Sequence, residues 1–390
     1  MIRVLLVDDS PVAILVLKKM LQRATDIEVV GTASNGQMAM EMLPVLKPDV
    51  MCTDLHMPKM DGLTLTRQVM KSHPLPILVI SISVQSHDDH NVFELLEAGA
   101  IDVFPKPQGG LSEASSGIAD ELISKLRVLS GVVPIRRHTT RLKTPSFSQS
   151  ATAGTEQSQP KASTSSPVSQ QPGSIPPLTE MTPSAFSAGG IDTSTYRVVV
   201  VGASTGGPQA LKTLFADLPE DFPLPIITVQ HISVGFLNEL VNWMNSACTL
   251  TVKIAVLGER PQPGTIYFPP EDTHLIIDEH GLFASIDDEQ LSIYHLPPTN
   301  HRPSVDVLFH SVARYYKRHA AAIILTGMGA DGVDGMRAIC KEGGFTVAQN
   351  EESSVVFGMP QKAIEANVAK VVCSIETMTG TLIENLKSGH

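Results

Sequence analysis

Cysteine is scarce: four occur in 390 residues, Cys52, Cys248, Cys340 and Cys373, and none form a CxxC pair. That excludes a disulfide framework or a cysteine zinc site and fits a reducing cytoplasm. Long apolar runs are also lacking. The longest are strand-sized, so no segment is expected to span a bilayer. Positive charge is in deficit, with 29 Lys plus Arg against 40 Asp plus Glu and a net charge of −11. Nucleic acid and anionic membranes, which need clustered positive charge, are therefore disfavoured as main partners. The opening MIRVLLVDDS meets two acids early, unlike a secretory signal. What is present, 42% apolar and 18% charged residues, suffices for packed cores. At about 100–200 residues per domain, the length suggests two or three domains.

One boundary is plain. From Thr144 to Thr195, 41 of 52 residues are Ser, Thr, Pro, Gln, Gly or Ala. Such a stretch has too little apolar surface to offset the entropy of ordering it, and reads as a flexible linker, taken as 131–195. A basic cluster (Arg136, Arg137, His138, Arg141, Lys143) precedes it and reads as a solvated entry to the linker. Before the linker, over 1–130, strand-like runs Ile2–Val7, Val50–Thr53 and Ile77–Ile80 alternate with helical patterns at Val12–Leu21, Gln37–Leu46, Val92–Ala98 and Ile118–Leu129. This βα alternation predicts a parallel doubly wound sheet. Over 196–390 the pattern returns, with strands at Arg197–Val201, Ile226–Gln230, Ala322–Leu325 and Thr346–Ala348. Helices are predicted after the first two of these strands and at Ser304–Lys317, Gly335–Lys341 and Pro360–Ala366. Thr249–Ser292 is turn-rich and predicts an antiparallel β insertion. The expected fold class is thus α/β throughout.

Chemistry collects at the strand ends. Asp8 and Asp9 follow the first strand, Asp54 follows Val50–Thr53, Ser81 follows Ile77–Ile80, and Lys106 follows a short strand near Ile101–Phe104. Parallel strands end on one sheet edge, where ligands bind. Three carboxylates there repel one another unless a hard cation sits among them, and Mg²⁺ prefers such oxygen ligands. Lys106 adds a point charge for a phosphoryl oxygen and Ser81 a hydroxyl donor. VLLVDDS, DLHMPKMDG and Lys106-Pro107 resemble the response-regulator receiver domain, which has a flavodoxin-like fold. The resemblance implies Asp54 as phosphoacceptor, Mg²⁺ held by Asp8, Asp9, Asp54 and the His56 carbonyl, and Lys106 and Ser81 as readers of phosphorylation. It also implies a sensor histidine kinase as phosphodonor. Val103 stands where many receivers carry an aromatic switch residue.

A second site begins at Gly202–Pro208, GASTGGP, between a strand and a helix. Ser204 there satisfies G-x-S-x-G, although a phosphate-binding turn or a plain tight turn also fits. His231 ends the next strand on the same edge and suits a general base. Asp331, in Thr326–Gly332, can orient its imidazole, and the Met328 amide is a candidate oxyanion donor. The chain order Ser, His, Asp is not that of an ordinary α/β-hydrolase. Gly327, Gly329 and Gly332 also satisfy the dinucleotide fingerprint G-x-G-x-x-G, a weak match when alone. The remaining histidines (His274, His280, His295, His301, His310, His319) lack zinc spacing.

GASTGGP, VQH, RPSVDVLF and LTGMGADG resemble the catalytic domain of the chemotaxis-receptor methylesterases, the CheB family. The resemblance implies a hydrolase that demethylates γ-glutamyl methyl esters on chemoreceptors and deamidates certain glutamines. Ser204 is then the nucleophile, His231 the base and Asp331 the orienting acid, with Thr205 in the same motif. No cofactor is expected in this domain. A phosphorylation-controlled binding protein without catalysis, or the same chemistry on a non-flagellar receptor array, remain alternatives.

Overall fold

The computed structural model describes residues 1–82, 92–107, 115–132, 196–293, 296 and 298–388. Nearly all of the expected linker, the basic cluster before it and His295 lie outside them. The first half runs β1 (Ile2–Val7), α1 (Pro11–Leu21), β2 (Ile27–Ala33), α2 (Gly36–Leu46), β3 (Val50–Thr53), α3 (Gly62–Ser72), β4 (Ile77–Ser81), α4 (Val92–Ala98), β5 (Asp102–Pro105) and α5 (Ser115–Leu129). Its five strands pair in parallel in the order β2-β1-β3-β4-β5. This is the flavodoxin-like order, whose reversal lies between β1 and β3. Helix starts follow from local chemistry. Ser10 Oγ accepts from the Ala13 amide at 3.3 Å ahead of Pro11, and Asp61 Oδ1 accepts from Thr64 N at 2.6 Å.

The second half runs β6 (Val198–Ala203), α6 (Gly207–Ala216), β7 (Ile226–Gln230), α7 (Leu237–Ala247), β8 (Thr251–Ile254), β9 (Thr265–Phe268), β10 (His274–Ile277) and β11 (Phe283–Ile286). It continues through α8 (Val305–Tyr316), β12 (Ala320–Ile324), α9 (Val333–Lys341), β13 (Phe345–Gln349), α10 (Met359–Glu365), β14 (Val371–Cys373) and α11 (Ile375–Ser388). Seven strands form one parallel sheet, β14-β13-β12-β6-β7-β9-β8. Strands β6, β7, β12 and β13 are buried along their whole length, as central parallel strands are, and the polar residues of β7 and β13 (Thr228, Gln230, Thr346, Gln349) are buried with them. The chain leaves β6 toward β7 on one side and returns to β12 on the other. The switch point therefore lies between β6 and β12, the strands that carry the Ser204 and Asp331 loops.

The expected antiparallel insertion is present as the β10–β11 pair, the one antiparallel pair among the described strands, whereas β8 and β9 in the same stretch join the main sheet in parallel. The Pro- and Gly-containing run Ala255–Gly264 crosses back between β8 and β9 rather than turning as a hairpin. Among the described residues no helix is long and apolar enough to cross a membrane.

Met1–Arg136 and Ile191–His390 form one compact unit. Helix α4 of the first sheet lies against α6 and α7 of the second. Phe93 stacks on Trp243 with centroids 5.3 Å apart, and Trp243 Nε1 donates to Glu97 Oε1 at 2.9 Å. Glu97 also pairs with Lys212, and Gln209 Nε2 donates to the carbonyls of Leu96 and, at 2.8 Å, Ala100.

Candidate active site and phosphoryl site

At the end of β1 and β3 the sheet brings Asp8, Asp9 and Asp54 together, with ligand atoms all within 4.8 Å of one another. Lys106, at the end of β5, reaches across to them. Its Nζ donates to Asp54 Oδ2 at 2.7 Å and Asp8 Oδ1 at 3.0 Å. Asp8 Oδ2 lies 2.8 Å from the same ammonium but outside hydrogen-bonding geometry. Burial pushes the Asp54 carboxyl above its ordinary value, against the pull of Lys106. Desolvation works to lower Lys106, yet its bonds to Asp54 and Asp8 leave it raised. Gly62 lets the backbone close around Asp54, since a Cβ there would meet the Asp54 carbonyl at 2.1 Å. Ser81 ends β4 as expected, with its hydroxyl donating to the Ile82 carbonyl at 3.3 Å. His56 is exposed, and Val103 is buried in the core.

The second site sits at the switch point. Ser204 follows β6 and is 8% exposed. Gly206 has φ +76° and Gly207 N donates to Ser204 O at 2.7 Å, closing the turn into α6. Gly327 is required by close approach: a Cβ there would lie 2.6 Å from Ser204 Cβ and 2.5 Å from Met359 Sδ. His231 is tied to the same edge by its amide, which donates to Ala203 O at 2.9 Å. Its ring Nε2 lies 2.8 Å from Asp331 Oδ2. Because a carboxylate only accepts, Nε2 carries the proton in the neutral ring. Nδ1 then holds the free lone pair, and it is buried with no hydrogen-bond partner. Thr205 is buried and Met328 half-buried in the facing loop. No acceptor among the described residues engages the amide of either.

The N-terminus of α8 clamps Asp331. Ser304 Oγ donates to Oδ1 at 2.8 Å, Asp306 N to Oδ1 at 3.0 Å and Val305 N to Oδ2 at 2.7 Å. Burial opposes ionisation of Asp331, but His231 and these amides win and hold it well below the carboxylate range. Its neighbour Asp306 is pushed up to about 7 by burial and by the Asp331 charge. The glycine run Gly327-Gly329-Gly332 serves to deliver Asp331 to His231. Sequence reasoning quoted RPSVDVLF but gave Ser304 no role; a serine N-cap just before an apolar helix was the available signal. It also missed His301, whose ring stacks on His231 with centroids 4.1 Å apart and planes 12° apart. His274 bonds to Asp288 at 2.8 Å and His310 to Asp334 at 3.0 Å, outside this stack.

The CheB methylesterase family matches residues 199–382 and the response regulator receiver domain matches residues 4–113. A protein-glutamate methylesterase/protein-glutamine glutaminase of Nitrosospira multiformis is 35% identical over 382 residues, covering 98% of this chain and 96% of that protein. The chain belongs to the CheB family. Its CheB relative of the same description in Salmonella typhimurium is 33% identical, with 100% of this chain and 98% of that protein covered. Among solved structures, the Thermotoga maritima CheB methylesterase catalytic domain is 37% identical, covering 49% of this chain and 98% of that one with a TM-score of 0.44. The T. maritima CheB response regulator domain is 36% identical, covering 34% and 99% with a TM-score of 0.31. This CheB-family chain is accordingly a hydrolase of the methylesterase/glutaminase type carrying a receiver domain.

Proposed function

We propose that the chain demethylates γ-glutamyl methyl esters, and deamidates certain glutamines, on chemoreceptors in the cytoplasm, with Ser204 as nucleophile, His231 as general base and Asp331 as orienting acid. The observation that carries this reading is the 2.8 Å His231–Asp331 contact that leaves a buried, unpartnered Nδ1 beside the Ser204 turn. Nδ1 takes the Ser204 proton as Oγ attacks the carbonyl carbon, then gives it to the departing methanol or ammonia. Water, activated the same way, cleaves the acyl-serine and releases the glutamate carboxylate, restoring Ser204. The Thr205 and Met328 amides hold the oxyanion, and Asp331 stabilises the imidazolium. Methanol release from methylated receptor membranes tests the reading: Ser204→Ala should abolish it, and activity near wild type overturns the assignment.

The domain reading is a receiver over 1–130, a linker over 131–195 and a catalytic domain over 196–390. The hard-oxygen set of Asp8, Asp9 and Asp54, with the His56 carbonyl added, suits Mg²⁺. When bound, Mg²⁺ neutralises phosphoryl charge at Asp54. Asp54 accepts the phosphoryl group from a sensor histidine kinase, while Lys106 and Ser81 register its arrival. The resting receiver covers the esterase, a reading supported by the contacts of Leu96 and Glu97 on α4 with Gln209 and Lys212 on α6, the helix that begins at the Ser204 turn.

A further inference from the structure

Two groups hold the His231 ring. Asp331 fixes it at Nε2, but Nδ1 makes no hydrogen bond. A ring held at one atom keeps freedom to tip about that contact, and a base with a misplaced lone pair loses rate steeply. The second restraint is His301, stacked nearly parallel at 4.1 Å. The His231 side chain is 10% exposed whereas His301 is an exposed residue, so His301 covers the solvent side of the ring.

The segment that carries His301 is itself braced. Thr299 Oγ1 accepts from His301 N at 3.1 Å, Arg302 pairs with Asp288, and Ser304 donates to Asp331. One short stretch therefore grips both the ring face and the carboxylate. Desolvation of the stacked face and then the His231 charge push His301 below the ordinary histidine range; Asp331 opposes this and Lys125 adds to it. A neutral His301 brings no like charge against the imidazolium that forms during turnover.

We infer that His301 is a positioning residue whose ring holds the His231 imidazole in the plane that presents Nδ1 to Ser204. This rests on His231 being the general base. The test uses the full chain with phosphodonor and Mg²⁺, comparing His301→Ala, His301→Phe and His231→Ala by methanol release from methylated receptor membranes. His301→Ala should lower kcat about tenfold with KM within about twofold of wild type. His301→Phe keeps a flat ring and should recover most of the loss. In proton NMR the hydrogen-bonded His231 Nε2–H should broaden or vanish in His301→Ala and persist in His301→Phe. An unchanged kcat in His301→Ala beside an inactive His231→Ala overturns the positioning role alone. Full activity in His231→Ala overturns the base assignment beneath it. A loss that His301→Phe fails to restore, or one confined to the ratio of activated to resting rate, also overturns the inference, since it points to substrate or receiver contact through the ring nitrogens.

Discussion

Asp331, the orienting acid of the proposed mechanism, shows how much of a side chain's character is set by its neighbours. It is nearly buried and yet ionised, because three donors from the start of α8 and the His231 ring converge on it. Asp331→Asn keeps the shape but loses the charge that fixes the tautomer, and should lower kcat by about three to four orders of magnitude with a normal melting temperature. Ser304→Ala removes one donor to a buried charge, a loss of about 1.5–3 kcal/mol. It should lower both kcat and thermal stability. Asp306, raised to about 7, carries the opposite pH signature. Its folded pKa lies above the unfolded value, so its favourable contribution is complete below about 4 and is lost as pH rises through about 7. Asp306→Asn should therefore flatten the decline of melting temperature between pH 5 and pH 8, as calorimetry across that range can check. Equal slopes for variant and wild type would contradict the assignment.

The elements that carry chemistry were the most legible. Strands β1, β3, β6 and β7 are mostly apolar runs followed at once by an acid, a serine or a histidine, and on a parallel sheet such stops share an edge. Strand β2 escaped because it is partly exposed and interrupted by Glu28, Gly31 and Thr32. Strand β14 is a three-residue edge strand, too short for a periodic signal. Helix α3 mixes Thr64, Thr66 and polar residues with its apolar face, and α11 is likewise broken by threonines. The parallel direction of β8 and β9 was hidden because turn residues mark a reversal but not which strand the chain rejoins. At the site, the three residues of the proposed triad stood in recognisable motifs. The His301 stack did not, because a contact between residues 70 positions apart leaves no local pattern. The loop after β12 offers a further check at this scale. Gly327→Ala inserts a methyl against Ser204 Cβ, and such overpacking costs about 1–3 kcal/mol. Activity should fall well beyond what the lost stability explains, as kcat and melting temperature measured together will show.

Across the whole molecule, the two sheets meet through α4, α6 and α7. The Phe93–Trp243 stack and the Glu97 and Gln209 bonds join helices far apart in sequence, so no linear pattern announces them. If this contact holds the esterase covered, Phe93→Ala should raise the resting rate severalfold and shrink the further gain on adding phosphodonor. The argument is one of populations: an enzyme open for a small fraction of the time gains most when the closed state is weakened. A Phe93→Ala chain with the wild-type resting rate would remove the contact from regulation.

Helix α6 links the proposed nucleophile and the α4 contact along a single rod: it begins just past Ser204, and Gln209 and Lys212 meet α4 within the next two turns. Because both sides of that joint are supplied by the same polypeptide, its closure is a first-order event. Specific activity of the resting chain should therefore stay flat on dilution from micromolar to nanomolar. A receiver added as a separate molecule would have to be supplied at about millimolar levels to imitate the tethered one. Signalling gain set this way is fixed by the chain itself and is insensitive to how many copies a cell makes.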